Sequence, residues 1–171
     1  MRSSTTRRPI LAHGLMLILV ASLSGCGYSV RSVYSENIRT VYVPVFRSIS
    51  FRRDVNFQLT EEVKKQIESR TPFKVVSKPE GADTTLEGVV NFADKNMILE
   101  NPYNLPRQLT ATITAAVTWT DNRTAKKVGE PMTVSATINF FPEVGETSEA
   151  AFLRAIQRLA TDIVNAMEKK W

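Results

Sequence analysis

Apolar and polar residues alternate strictly over two stretches of the chain. Leu109, Ala111, Ile113, Ala115, Val117 and Trp119 occupy every second position, with Thr110, Thr112, Thr114, Ala116, Thr118 and Thr120 between them. Met132, Val134, Ala136, Ile138 and Phe140 alternate in the same way with Thr133, Ser135, Thr137, Asn139 and Phe141. A period of two over such lengths predicts strands with one face on a core. The polar segment DNRTAKKVGE between them predicts a hairpin loop. Ile38–Phe46, IRTVYVPVF, is β-branched and aromatic and predicts an earlier strand. Pro44 has no N–H for a ladder, so this strand is expected at a sheet edge or to end near the proline. FKVV at 73–76 predicts a short strand. GADTTLEGVVNF opens another, with Leu86, Gly88, Val90 and Phe92 on one face. The segment ENPYNLPRQ, with Pro102 and Pro106, predicts a turn.

Two stretches change period. Val55, Leu59, Val63 and Ile67 fall four apart, which predicts a helix from a cap at Asp54 to about Arg70, ended by Pro72. Phe152, Ile156, Leu159, Ile163 and Met167 form a second stripe, predicting a helix capped by Thr147 or Ser148 and running to about Lys169. Glu149 at its start and Lys169–Lys170 at its end suit the helix dipole. Strand, helix, strand in the first half implies a right-handed crossover. The expected architecture is α+β: a mixed, mostly antiparallel sheet of four to five strands, with two helices packed on one face. It forms a single domain over residues 38–171.

The N-terminal pattern is different again. Arg2, Arg7 and Arg8 precede the apolar run ILAHGLMLILVASL, and small residues lead into Cys26. This is the layout of a bacterial export signal over residues 1–25. A transmembrane anchor needs about 18 or more apolar residues, and His13 and Gly14 interrupt this run. Leu23-Ser24-Gly25-Cys26 resembles the lipobox of bacterial lipoproteins. That resemblance implies cleavage before Cys26 and a covalent acyl lipid on its sulfur, with residues 26–37 as a lipidated tether. Stable membrane anchoring takes two or more acyl chains. Gly27, rather than Asp, follows the cysteine, which by the same resemblance points to the outer membrane and its periplasmic side.

Charge and chemistry follow from this division. The whole chain has 22 Lys+Arg against 17 Asp+Glu, a formal charge of +5. Three arginines belong to the signal, so the basicity does not argue for nucleic acid. The only histidine, His13, also lies there. The remaining chain has no histidine for Ser-His-Asp or Cys-His catalysis and no His/Cys set for zinc. No metal site or cofactor is expected beyond the acyl lipid, and no catalytic residue is assigned. Glu61–Glu62 is the clearest acidic pair, but adjacent helical residues point about 100° apart.

Two surfaces are candidates for binding. The first is the polar side of the long strands: Thr110, Thr112, Thr114, Thr118, Thr133, Ser135, Thr137 and Asn139. Exposed strands usually carry Lys or Glu. An uncharged polar face loses water at lower cost than a charged one, which suits contact with a protein wall. Threonine also favours strands for its own sake. The second candidate is basic: Arg123, Lys126 and Lys127 in the hairpin loop, with Arg107 near the start of the preceding strand. Arg and Lys pair with phosphates on an anionic lipid. The bland reading is a solvated turn diluted by Asp121 and Glu130.

Taken in order, CGY, VYVPVFRS, LTEEVKKQI, ADTTLEGVV, the Thr-alternating strand, ATINFF and the long last helix resemble the lipopolysaccharide-assembly lipoprotein family (LptE-like) of Gram-negative bacteria. The resemblance covers nearly all of residues 26–171. It implies an outer-membrane lipoprotein without catalytic activity. Such a protein binds and plugs a large β-barrel translocon and assists lipopolysaccharide assembly at the cell surface. The implied partners are that barrel, lipopolysaccharide and the membrane. Members of the family can carry basic residues in the turn after the last long strand; here that turn reads FPEVGETSE, with Glu143, Glu146 and Glu149. A periplasm-facing adaptor lipoprotein of another envelope secretion or transport machine is the alternative, since VYVPVF before a helix also suits such domains.

Overall fold

A computed structural model of the chain describes residues 37–52, 54–103 and 105–168. The export signal, Cys26 and almost all of the tether lie outside the described residues, as do Lys169 and Lys170. Within them run β1 (Thr40–Tyr42), β2 (Arg47–Ser48), α1 (Val55–Arg70), β3 (Lys74–Val76), β4 (Thr84–Glu100), β5 (Pro106–Asp121), β6 (Lys126–Lys127), β7 (Met132–Phe140), a 3-10 turn (Pro142–Val144) and α2 (Ser148–Ala166).

All strands belong to one open, mixed sheet in the order β3-β1-β4-β5-β6, with β2 also on β4 and β7 also on β5. β1 is parallel to β3 and to β4, whereas β4, β5 and β7 are antiparallel neighbours. The α+β class holds. The sheet has more segments than four or five because one expected strand breaks and the hairpin loop adds a short one. Pro44 falls between β1 and β2, so the first strand is interrupted there and resumes at Arg47. The hairpin loop also contributes the two-residue β6, paired to Thr120 and Asp121. β1 lies inside the sheet, so of the two outcomes expected from Pro44, ending near the proline is the one found.

The strand opened by GADTTLEGVVNF, β4, runs to Glu100, up to the turn segment. Its ladder with β5 shifts register between Val90, opposite Ala115, and Phe92, opposite Thr114. Asn91 is therefore an extra residue, a β-bulge that reverses which side each later residue faces. Simple alternation predicts Phe92 on the core face with Leu86 and Val90. The bulge turns it outward instead, 42% exposed, and sends Ala93 inward.

The core lies between the inner face of the sheet and the two helices. Val55, Leu59, Val63 and Ile67 of α1 are buried, as are Phe152, Ile156, Leu159 and Ile163 of α2. Each fully buried side chain of this size contributes about 1.5–3 kcal/mol. They meet Leu86, Val90, Ala111, Ile113, Ala115 and Val117 from the sheet. The helices pack on each other, and Ala151, Ala155 and Ala160 are buried on the inner side of α2.

Thr147 caps α2 by accepting the Ala150 N–H at 3.3 Å. Asp54 precedes α1 but caps only through its backbone. Its φ is 64° and its side chain takes no cap bond, while its carbonyl accepts the Gln58 N–H. Arg52, in the loop before α1, stacks over the Phe152 ring at 3.6 Å and ties that loop to α2.

Candidate interaction surface

The outer face of the sheet, away from the helices, is built in rows across three strands. Val89, Ala116 and Thr133 form one row, followed by Phe92, Thr114 and Ser135, then Asp94, Thr112 and Thr137, then Asn96, Thr110 and Asn139. Toward the other end, Glu87 pairs with Thr118 and Thr85 with Thr120. The β5 and β7 columns carry no charge here. Charge enters at the margins, through Glu87 and Asp94 of β4, Arg47 of β2 beside Val89, and Lys127 of β6 beside Thr120.

The hydroxyls on this face hold each other in place. Thr112 and Thr137 share a hydrogen bond of 3.0 Å between their Oγ1 atoms, and Thr114 Oγ1 and Ser135 Oγ another of 3.0 Å. Cross-strand pairs of this kind contribute about 0.2–1 kcal/mol each. They also satisfy hydroxyls that a dry contact would otherwise strand. Thr133, Ser135, Thr137 and Asn139 are exposed along β7, and Thr112, Thr114 and Thr118 are half-buried in the central column. Thr110 is different: it is buried, and its hydroxyl donates to the Asn96 carbonyl.

The four basic candidates do not form one site. Arg107 stands at the start of β5; Arg123, Lys126 and Lys127 lie past its end. At about 3.4 Å per residue the two groups are roughly 45 Å apart. Arg107 is paired with Glu143 at 3.5 Å, across the turn after β7. Arg123 is also engaged. It lies 3.7 Å from Asp121 and 4.0 Å from Asp83, and donates to the Asn37 carbonyl. The N–H groups of Arg123 and Thr124, with the nearby guanidinium, hold the Asp121 carboxyl below its ordinary pKa. Lys126 and Lys127 are exposed, with no ion pair among the described residues. The acids of the FPEVGETSE turn are turned to internal use: Glu146 accepts the Phe141 N–H and pairs with Arg154 at 3.0 Å.

One surface is not foreshadowed by the periodicity. Beyond the end of β7, the β4–β5 hairpin carries Met97, Ile98, Leu99, Tyr103 and Leu105, all more than 45% exposed. Phe141 and Val144 are exposed in the adjoining turn, which contacts β5. The sequence signal is the MIL triplet before the proline-rich turn, which reads equally well as the end of a buried strand. Elsewhere, a shallow recess of about 510 Å³ lies along α1, lined by Glu61, Lys64, Lys65, Glu68, Ser69 and Val75. Glu61 bonds Lys64 at 2.8 Å and Glu62 accepts from Gln66 at 2.9 Å, so both acids of that pair act along the helix surface. Among the described residues, no helix is long and apolar enough to cross a membrane.

Residues 38–167 match the family described as lipopolysaccharide-assembly, LptE. No curated protein sequence matches the chain. Several solved structures share its fold at low identity. Lipoprotein B of Nitrosomonas europaea is 15% identical with a TM-score of 0.52, over 83% of this chain and 88% of that one. Rare lipoprotein B of Shewanella oneidensis is 11% identical with a TM-score of 0.52, over 75% and 93%. A PelC chain of Paraburkholderia phytofirmans is 10% identical with a TM-score of 0.55, over 82% and 95%.

Proposed function

The chain belongs to the lipopolysaccharide-assembly (LptE) family, and from that premise we propose that it is an outer-membrane lipoprotein that seats in a large β-barrel translocon. It acts by binding, without catalysis, and presents the outer face of β5 and β7 to the barrel wall. The observation that carries this reading is the absence of charge on that face from Thr110 to Thr118 and from Thr133 to Asn139. A barrel lumen removes water from whatever it encloses, and self-paired hydroxyls tolerate that removal where carboxylates or ammonium groups do not. An acyl lipid on Cys26 holds the chain at the periplasmic side of the membrane. Of the four basic candidates, Lys126 and Lys127 have no ion pair among the described residues and are the ones available for lipopolysaccharide phosphates. Arg107 and Arg123, being paired, serve the fold first.

The test is extraction of outer membranes in mild detergent, capture through a C-terminal tag, and mass spectrometry of the eluate. A large β-barrel protein in near one-to-one ratio is the expected result. Capture of the chain alone, or with periplasmic proteins only, overturns the barrel reading in favour of an envelope adaptor.

A further inference from the structure

β7 is an edge strand: among the described residues it pairs with β5 and with no other strand. In an antiparallel pair, every second residue turns its N–H and C=O away from the partner. β7 therefore offers a row of unpaired backbone groups along nine residues. Natural edges are blunted by brevity, charge, proline or a bulge. At the other side of the sheet, β3 is only three residues long. β7 has none of these devices. It contains no charge and no proline, and its ladder with β5 runs from Phe140–Leu109 to Met132–Val117 without a register shift. Pro131 and Pro142 stand just outside it and delimit the open segment.

We propose that this edge pairs with β7 of a second copy of the chain, antiparallel about a two-fold axis at Ala136. In that register Ala136 faces its own counterpart, Ser135 faces Thr137, Val134 faces Ile138, Thr133 faces Asn139 and Met132 faces Phe140. Polar meets polar on the outer face, and apolar meets apolar on the helix side. Met132, Val134 and Ile138 are only partly buried in the single copy, and the pairing covers them further.

The ends of the edge differ in charge. β6 lies along the same side of β5 as β7, beyond the β7 N-terminus, and carries exposed Lys126 and Lys127. The turn beyond the β7 C-terminus carries Glu143 and Glu146, which in the single copy pair with Arg107 at 3.5 Å and Arg154 at 3.0 Å, so a second copy's lysines join pairs that already exist. Antiparallel pairing sets the lysines of each copy against the acidic turn of the other. Glu130 falls opposite Pro142, so no acid stands directly against it. A two-fold operator makes both contacts twice. This inference concerns the chain before it meets another protein and does not depend on the barrel reading.

The experiment is sedimentation equilibrium of the full chain in density-matched detergent, with the native sequence and with Thr137→Lys. Thr137 lies on the outer face, and two lysines placed near the axis repel each other. The native chain is expected to show a concentration-dependent monomer–dimer equilibrium, weakened at least about tenfold in the variant while its circular dichroism is unchanged. A monomer at every concentration overturns the proposal and leaves the edge to a strand of another protein. A dimer unmoved by Thr137→Lys overturns it too, since chains merely sharing a micelle ignore that change. If Thr137→Lys impairs folding, Lys126→Glu with Lys127→Glu carries the test at exposed sites, where undiminished association overturns the two-fold register.

Discussion

The ring of Phe46 occupies the space where Gly88 has no side chain: a Cβ on Gly88 would lie 2.6 Å from two atoms of that ring. Phe46 is 1% exposed and belongs to the core. Gly88 thus lets β2 and its approach lie against β4 with an aromatic ring between them. Gly88→Ala is expected to destabilise the fold by about 1–3 kcal/mol, the usual cost of forcing atoms into a filled core. Chemical denaturation measures it. A change within about 0.3 kcal/mol would show that the ring moves aside freely.

Thr60 joins the same corner from α1. Its hydroxyl is fully buried, accepts the Phe46 N–H at 2.9 Å and donates to the Asn56 carbonyl at 2.6 Å. Thr60→Val keeps the shape and removes the acceptor. The stranded Phe46 N–H is expected to cost about 1–3 kcal/mol, whereas Thr60→Ser keeps the bond and should lose less. Equal losses for valine and serine would show that the methyl group, not the hydrogen bond, matters there.

Asp83 and Thr40 fasten β1 to the start of β4. The Asp83 carboxylate accepts from the Arg39 N–H, the Thr40 N–H and the Thr40 hydroxyl, which in turn accepts the Asp83 N–H. The Arg39 N–H leads the groups that hold the carboxyl below its ordinary value of 3.8, joined by Thr40 and by the charge of Arg123. A depressed pKa in the folded state means that the unfolded chain binds the proton more readily. The stabilisation is therefore complete above the ordinary value and is lost as pH falls through the lower, folded one. Unfolding followed from pH 7 down to pH 2 is expected to show falling stability below about pH 4, less steeply in Asp83→Asn. An unchanged slope in that variant would assign the acid sensitivity to Asp121, Glu146 and Glu149, whose carboxyls are lowered as well.

Lys126 and Lys127 lie in the hairpin loop and Thr114 at the centre of the uncharged face, so the two proposed contacts can be separated. Lys126→Ala with Lys127→Ala is expected to reduce binding to lipopolysaccharide-containing vesicles several-fold and to leave barrel capture nearly intact. Thr114→Glu is expected to do the reverse, because a carboxylate beside Phe92 and Ser135 must be desolvated against the barrel wall. Co-sedimentation and tag capture read the two outcomes. Equal loss of both activities in the lysine variant would defeat the division of labour.

Much of this molecule is written in local periodicity. The alternation at 109–119 and 132–140, and the three- and four-residue helical spacings of 55–67 and 152–163, each place a residue on the core side through its own neighbours in the chain. Burial rewards that placement directly, so both long strands, both helices and the helix-covered face are legible in the amino-acid pattern alone. The uncharged outer face is legible for the same reason.

The rest depends on partners distant in sequence. Asn91 reads as an ordinary strand residue, and only its pairing against Ala115 and Thr114 makes it a bulge that turns Phe92 outward. Arg107 and Arg123 look like companions of Lys126 and Lys127 until the length of β5 separates them and Glu143, Asp121 and Asp83 neutralise them. The exposed hairpin end at Met97–Leu99 and the open edge of β7 follow from where neighbouring strands stop. Periodicity along one segment is enough to place the core-facing residues of β5, β7 and the two helices, and it fails in β4 beyond Asn91, where the facing depends on the partner strand. Which charges are free and which edges are open follows from register between segments, and register is a property of pairs of strands that no single segment carries.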